Sequence, residues 1–391
     1  MTPKEKIKKA LRHDWYVQGF NSVPVFLEVA AWSGVVMDQE LGYAYRHFMY
    51  HFKEGYGEMW YDTEDFDRLW QIIKSKIDQD PHYLEKTKQL YEKIFTKHER
   101  LFKKLETKKL SDTTNKKLFK LVQHLREAMT DAVGIAHIVD AVGQEIEKEL
   151  KHNLKTELGQ DGVKEYFAAL TTPSAPSFVA REDRELQKIR GWSGTRRQRA
   201  LKQHLQQYRW IQNSYRGPNR VTVDTLEERL QAAPVKTEIK RAHSAKEKEK
   251  LMKTLSLSAQ TRHFLRNIDF ITIWQDERKE KVLKTVEYLS SILAEVSKRV
   301  GIDVNDLYYL GTKDITNLIS LEDLQGLALE LAERRRGCYF LHDGPQQYVI
   351  SGADYQNIVA LQQTTTQAEA GKEIHGSVAN PGTVTGKVAM C

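Results

Sequence analysis

Apolar residues in the first part of the chain recur at helical spacing. Tyr91, Phe95, Leu101 and Leu105 share one helical stripe with lysines across from it, and Leu118, Val122, Leu125 and Met129 continue the pattern. A Ser-Asp-Thr-Thr-Asn break between the two runs suits the start of a new helix. The next stretch, TDAVGIAHIVDAVGQEIEKEL, keeps the period, and its Gly134 and Gly143 suit a close helix crossing at a cost in helix propensity. Residues 1–170 are expected to form an N-terminal helical domain. TTPSAPSF, residues 171–178, carries two prolines that cannot continue a helix and marks a boundary.

A central helical domain is expected over 171–336. Helices resume over 179–215 with interruptions at Gly191 and Gly194, and SYRGPNRVT reads as a loop. Two long helices are expected over 242–300, the second from near Ile271. Another is expected over 314–336, where Leu318, Leu321, Leu324, Leu327 and Leu331 recur. The pattern changes at Gly337: CYFL and QYVIS read as short strands joined by the turn HDGPQ, so 337–368 is a β-hairpin and linker, with polar residues 364–371 leading out. Within 369–391, EIHGSVANPGTVTGKVAMC alternates apolar and small residues around three glycines and begins a new β-containing unit. The expected fold class is mainly α: a helical body, then a short β-hairpin and the first strands of an α/β unit.

Composition narrows the class. With 391 residues, 40% of them hydrophobic and 29% charged, the chain has material for two or three packed domains. Two cysteines, Cys338 and Cys391, cannot build a disulfide framework or a four-thiolate zinc site. No apolar run reaches the roughly 18 residues of a membrane span, and MTPKEKIKKALRHDW is too polar for a secretory signal, so a cytoplasmic protein is expected. The net charge of +7 is unevenly placed: between Arg181 and Arg209 nine Lys/Arg face three acids, an excess of 9 − 3 = +6. Such a patch attracts phosphate groups or acidic surfaces. In RGWSGTRRQRALKQH, Trp192 lies among arginines, a composition that also suits stacking on single-stranded nucleic acid, although a solvated helix face explains it equally. Arg196, Arg197 and Arg199 are the candidate phosphate-binding residues. Arg334, Arg335 and Arg336 close a helix and complement its dipole, with a phosphate clamp as the alternative.

His47 and His51 in RHFMYHF are four apart, which on a helix would place both imidazoles on one face with Glu54 or Glu58 nearby as a metal ligand. The zinc-protease pattern needs Glu after the first His, where this chain has Phe48, so no metal site is assigned. His13, His82, His98, His124, His137, His152 and His243 have no partner legible in the sequence and are read as surface or structural residues.

The most specific phrase runs from Gly376 to Val388, G-x-x-A-N-P-G-x-x-x-G-x-V. It resembles the opening of the swivelling phosphohistidine domain of the phosphoenolpyruvate-utilising phosphotransferases, the family of pyruvate phosphate dikinase and phosphoenolpyruvate synthase. The usual Ala-Ser-Pro-Gly is here Ala379-Asn380-Pro381-Gly382. Upstream, Tyr309-Leu310-Gly311-Thr312-Lys313-Asp314 is similar to a "YLT-x-x-E" phrase of synthase-like members, with Gly for Thr and Asp for Glu. REDRELQKI and LKQHLQQYRWIQNSYRGP look like the middle of such proteins. The resemblance is loose over 180–391 and sharp only at its end.

The resemblance implies a phosphoryl group carried covalently on a histidine that attacks phosphorus and then swings to a second site. In the family that histidine follows the glycine phrase by several dozen residues, so the chain is expected to end inside the swivelling domain. His375 precedes the phrase, and no catalytic residue is carried over. Neither a glycine-rich nucleotide-binding region nor a phosphoenolpyruvate-binding barrel is legible. The expectation is either that the reading frame is cut short here or that a reduced member works with separate nucleotide-binding or phosphoenolpyruvate-binding domains. Mg²⁺ with ATP or phosphoenolpyruvate would act in the complete assembly, with no cofactor held by this chain. The alternative is a non-enzymatic helical binding protein acting through the basic stretch at 181–209, with partner protein expected ahead of nucleic acid and no membrane.

Overall fold

The computed structural model describes residues 1–232, 245–318, 320–344 and 346–368. The protein is mainly α, as expected, and the hairpin after Gly337 is present as β4 (Cys338–Asp343) and β5 (Gln346–Ile350). The closing unit expected over 369–391 lies outside the described residues. Among the described residues, no helix is long and apolar enough to cross a membrane.

The first domain departs from the all-helical expectation. It contributes three strands, β1 (Trp15–Asn21), β2 (His47–Lys53) and β3 (Tyr56–Asp62). These join the hairpin in one antiparallel sheet of order β1-β3-β2-β4-β5. The turn from β2 to β3 is Glu54-Gly55, with φ of 50° and 86°. Positive φ at both central residues gives the tight hairpin twist that Gly55 readily permits.

Both faces of the central strands β2 and β4 are covered, so these two strands do not alternate cleanly between buried and exposed positions. Phe48, Tyr50, Phe52, Tyr61 and Phe340 point into the helical body. Met49, Tyr339, Leu341 and Ile350 meet Ile7 of the helix Pro3–Ala10 and Tyr355 and Ile358 of the helix Gly352–Ala368. That last helix runs through Ala368, over the start of the expected polar linker.

The body is organised around the helix Ala259–Val300, which packs against Asn115–Val133 and Ile138–Thr171. It starts well before Ile271, because Ser258 caps it by accepting from the backbone N–H of Thr261. The helix expected over 314–336 is three pieces, Thr312–Asn317, Leu321–Gly326 and Ala328–Arg336. Ser320 and Asp323 form a capping box that restarts the chain there. After the proline boundary, the helices Phe178–Ile189, Gly194–Tyr208 and Val223–Gln231 enclose a small second core of Leu186, Leu201, Trp210, Leu226 and neighbours.

Gly337 sets the angle at which the hairpin leaves the body. A Cβ there would lie 2.1 Å from the ring of Tyr355, which is 3% exposed and has no room to move away. The Gly337→Ala variant is expected to lose about 1–3 kcal/mol by overpacking. Urea unfolding followed by circular dichroism checks this; an unchanged midpoint would contradict the packing described.

Candidate functional site

The three arginines singled out by sequence lie together on the helix Gly194–Tyr208 but in different surroundings. Arg197 is committed to Glu227 through both Nε, at 3.1 Å, and Nη2. The Arg196 guanidinium lies 4.0 Å over the Trp192 ring, and Arg199 is exposed. Two further arginines of the basic stretch meet acids from elsewhere in the chain, Arg181 with Glu280 and Arg209 with Glu287, while the stretch's own buried Glu182 is taken by His204 and by Arg229 from outside it. Among the described residues the stretch is thus only partly balanced in space and stays net positive. Arg334 binds Asp314 and Glu330, and Arg335 binds Asp303 and Asp306.

His47 and His51 lie on strand β2, not on a helix. Four residues along a strand span about 13 Å, so the two rings cannot share an ion. His47 places Nδ1 3.2 Å from Asp62 and Nε2 3.2 Å from Asp343. His51 stacks on Tyr339 at 4.6 Å, hydrogen-bonds the Tyr355 hydroxyl at 2.9 Å and approaches Glu58 at 3.4 Å. Among the described residues, two clusters have donor atoms close enough for a metal: His47, Asp62 and Asp65, and His98, Glu127 and Asp131. Asp65 already accepts from the backbone N–H of Arg46 and of His47 and from Arg68. In the second cluster the Lys97 ammonium lies 2.6 Å from Glu127 and 3.1 Å from Asp131, supplying the positive charge itself. Neither makes a persuasive metal site.

Buried charge instead gathers on both sides of the short 3₁₀ turn Gly134–His137. On one side Arg278 binds Asp140 at 2.9 and 3.0 Å at the wall of a pocket of about 470 Å³ between the sheet and the bundle. His137 lies beside them. Ser33 Oγ donates to the Ala30 carbonyl at 2.6 Å, so it accepts from the Nδ1–H of His137 at 2.7 Å. That leaves Nε2 to accept from the Tyr61 hydroxyl at 3.1 Å. Asp140 Oδ2 lies 3.4 Å from the same Nε2, longer than the Tyr61 contact, so the network favours a neutral imidazole protonated at Nδ1. Every cation and imidazole nitrogen facing this pocket from the buried side is already spoken for.

On the other side the carboxylate of Glu28, fully buried, collects donors from four segments. Oε2 accepts from Arg126 Nη2 at 2.9 Å and from the backbone N–H and hydroxyl of Thr312, each at 2.8 Å. Oε1 accepts from Trp32 Nε1 at 2.7 Å and from Gln347, with His342 Nε2 at 3.2 Å. Burial alone would raise the Glu28 pKa, but His342 and Arg126 outweigh it and hold the group at about 2. Arg126 is 3% exposed, and its Nε and Nη1 have no partner among the described residues. This guanidinium lines a cleft of about 900 Å³. Its two unpartnered nitrogens lie beneath the cleft surface, out of reach of solvent.

Sequence reasoning did not single out Glu28, Arg126, Asp140 or Arg278. A signal existed for two of them: Glu28 interrupts the apolar run VPVFLEVAAW, and Arg126 lies next to Leu125 among buried positions of its helix. Thr312 belongs to the Tyr309–Asp314 phrase. That phrase knots the fold: the Tyr309 hydroxyl accepts from Gly55 N–H, Thr312 binds Glu28, and Asp314 binds Arg334. No protein-family model matches the chain, and neither a curated protein nor a solved structure does.

Burial pushes the pKa of His137 down from 6.5 to about 4, with Asp140 opposing and Arg278 adding to the fall. The unfolded chain then binds the extra proton between pH 6.5 and about 4, so this contribution is complete above 6.5 and lost as pH falls toward 4. The loss should be of the order of 3 kcal/mol. In His137→Gln, which cannot take up a proton, stability measured by urea unfolding should fall less steeply across that window. Equal slopes in the two proteins would refute the assignment of a neutral buried ring.

Proposed function

We propose that this chain is part of a phosphoenolpyruvate-utilising-type phosphotransferase, its helical body carrying a swivelling phosphohistidine domain and presenting it to separate catalytic partners. The observation that carries this reading is the phrase from Gly376 to Val388, placed after a helical body and a β-hairpin. The body supplies a firm point of departure for such a domain: the hairpin is paired to β2, and the helix Gly352–Ala368 packs on the sheet through Tyr355 and Ile358. The Tyr309–Asp314 segment, similar to the family's phrase, ties together the β2–β3 turn, Glu28 and Arg334, a role in building the body and not in chemistry.

In this reading an imidazole nitrogen attacks the donor's phosphorus, the bond to the leaving oxygen breaks, and the phosphoryl group rides on histidine until an acceptor takes it. The histidine concerned follows the glycine phrase in the family, and no histidine of this chain matches its position. Mg²⁺ with ATP or phosphoenolpyruvate would act on the partner domains. The exposed Arg199 and the stacked Arg196 are the residues of the basic stretch placed to meet a phosphorylated or acidic partner surface.

The test is to express the complete reading frame and incubate the protein with radiolabelled phosphoenolpyruvate and, separately, γ-labelled ATP, each with Mg²⁺ and cell extract as a source of partners. Label that is acid-labile and alkali-stable, on a histidine beyond Val388, is the expected result. Absence of such label with both donors sinks the reading. A second measurement addresses docking. Reversing charge at Arg196 and Arg199 should weaken association with the phosphorylated domain, most at low salt, without lowering thermal stability. Arg197→Glu, which breaks the pairing with Glu227, should lower stability instead. Unchanged affinity in the Arg196/Arg199 double variant removes the docking role.

A further inference from the structure

The sheet has two outer strands, β1 and β5. Beside β5 packs the helix Pro3–Ala10, with Lys6 over the Tyr348 ring. β1 is different. It is seven residues long, WYVQGFN, with no charge, no proline and no bulge in its pairing to β3. Charges, prolines and bulges are what keep an edge strand from pairing with another chain. Tyr16 is 39% and Val17 45% exposed, and Gly19 and Asn21 are exposed as well. The register tells which backbone groups face outward. Ser22 N–H donates to the Gly55 carbonyl in line with the β1–β3 ladder. Bonded positions alternate along an antiparallel pair, so Phe20, Gln18 and Tyr16 bond to β3, and Asn21, Gly19, Val17 and Trp15 turn their N–H and C=O away from it. Those outward groups have no backbone partner among the described residues.

We propose that β1 pairs with β1 of a second copy of this chain, antiparallel about a two-fold axis at Gln18, joining two five-stranded sheets into one. Only an extended backbone offers donors and acceptors at the spacing this edge presents. Centred on Gln18, all seven residues pair: Trp15 opposes Asn21, Tyr16 opposes Phe20, Val17 opposes Gly19, and Gln18 opposes itself. The four outward residues of each copy then bond to one another, so every outward N–H and C=O is met. The strand carries no charge, and the adjoining Asp14 falls opposite Ser22, so self-pairing sets no like charges face to face. Tyr16 and Phe20 point toward the helical body, where they meet Phe66 and Tyr215. Tyr16 of one copy therefore comes beside Phe20 of the other, at the pocket of about 470 Å³ that Gln18, Gly19 and Phe20 line. A single strand pair is a small interface, so monomer and dimer exchange with concentration. The inference does not rest on the phosphotransferase reading, and its test contains no phosphoryl donor.

Sedimentation velocity of the full chain over a range of concentrations should show a monomer–dimer equilibrium. Val17→Pro removes an outward N–H and leaves the ladder to β3 intact, so it should weaken the dimer about tenfold or more with an unchanged circular dichroism spectrum. Gln18→Cys, in a Cys391→Ser background, sets two thiols opposite one another at a non-bonded pair, where Cα atoms lie about 4.5 Å apart and a disulfide can close. Mild oxidation should then link two copies through residue 18, read by peptide mapping, and this variant decides if Val17→Pro does not fold. A chain that stays monomeric at every concentration leaves the edge to an extended segment of another protein and overturns the proposal. So does a dimer that Val17→Pro leaves equally tight, or one that Gln18→Cys does not cross-link.

Discussion

The carboxylate of Glu28 is the constraint on which the rest of the structure depends. It is fully buried, and it is approached by the helix it precedes through Trp32, by the bundle through Arg126, by the short helix at Thr312, and by the two strands of the hairpin through His342 and Gln347. Taking a charge out of water costs several kcal/mol, and donors arranged around it offset that cost only when nearly all lone pairs are met. A carboxylate satisfied in this way specifies its neighbours sharply, because withdrawing any one of them leaves a buried charge under-compensated. Segments from both ends of the described chain are thereby fixed to one point.

The sheet extends the same constraint. Strand β2 is its centre, paired to β3 on one side and to β4 on the other, so the N-terminal hairpin and the C-terminal hairpin are one element. Phe340 and His342 share a face of β4, and that face meets the helical body; Tyr339 and Leu341 meet the covering helices. A sheet buried on both faces needs side chains on both to be apolar or fully partnered. The rings of His51 and Tyr355, hydrogen-bonded to one another within the outer layer, show how polar atoms are accommodated there.

Part of the chain's positive charge is paired locally. Arg181 and Arg209 find acids on the Ala259–Val300 helix and Arg197 on Val223–Gln231, and Arg334 and Arg335 find theirs within the same region of the fold. Side chains that are held in such pairs serve packing and orientation. Arg126 contrasts with them: it is buried beside Glu28 and only partly answered among the described residues.

Local chemistry along the chain determined the helices with one apolar stripe, the helix break at 171–178 and the hairpin at 337–350, because each depends on residues near one another in sequence. It misled over β2 and β3: HFMYHFK and YGEMWYD are dense in aromatic residues, a β preference, yet burial on both faces of β2 removes the alternation that marks a strand, and the register of β3 is set by its pairing to β1 and β2. The same limit applied to the site. Glu28 could be noticed as an acid in an apolar run, but its partners lie as far along the chain as His342 and Gln347, and no spacing rule joins them. Likewise, the surplus of positive charge was legible, whereas which of its arginines are paired depended on which helices came to lie beside it. Sequence by itself determined where segments are helical, basic or breaking, since those properties are local. Tertiary structure alone decided which charges are paired and which guanidinium keeps donors free, since burial and partnership are properties of residues brought together by the fold.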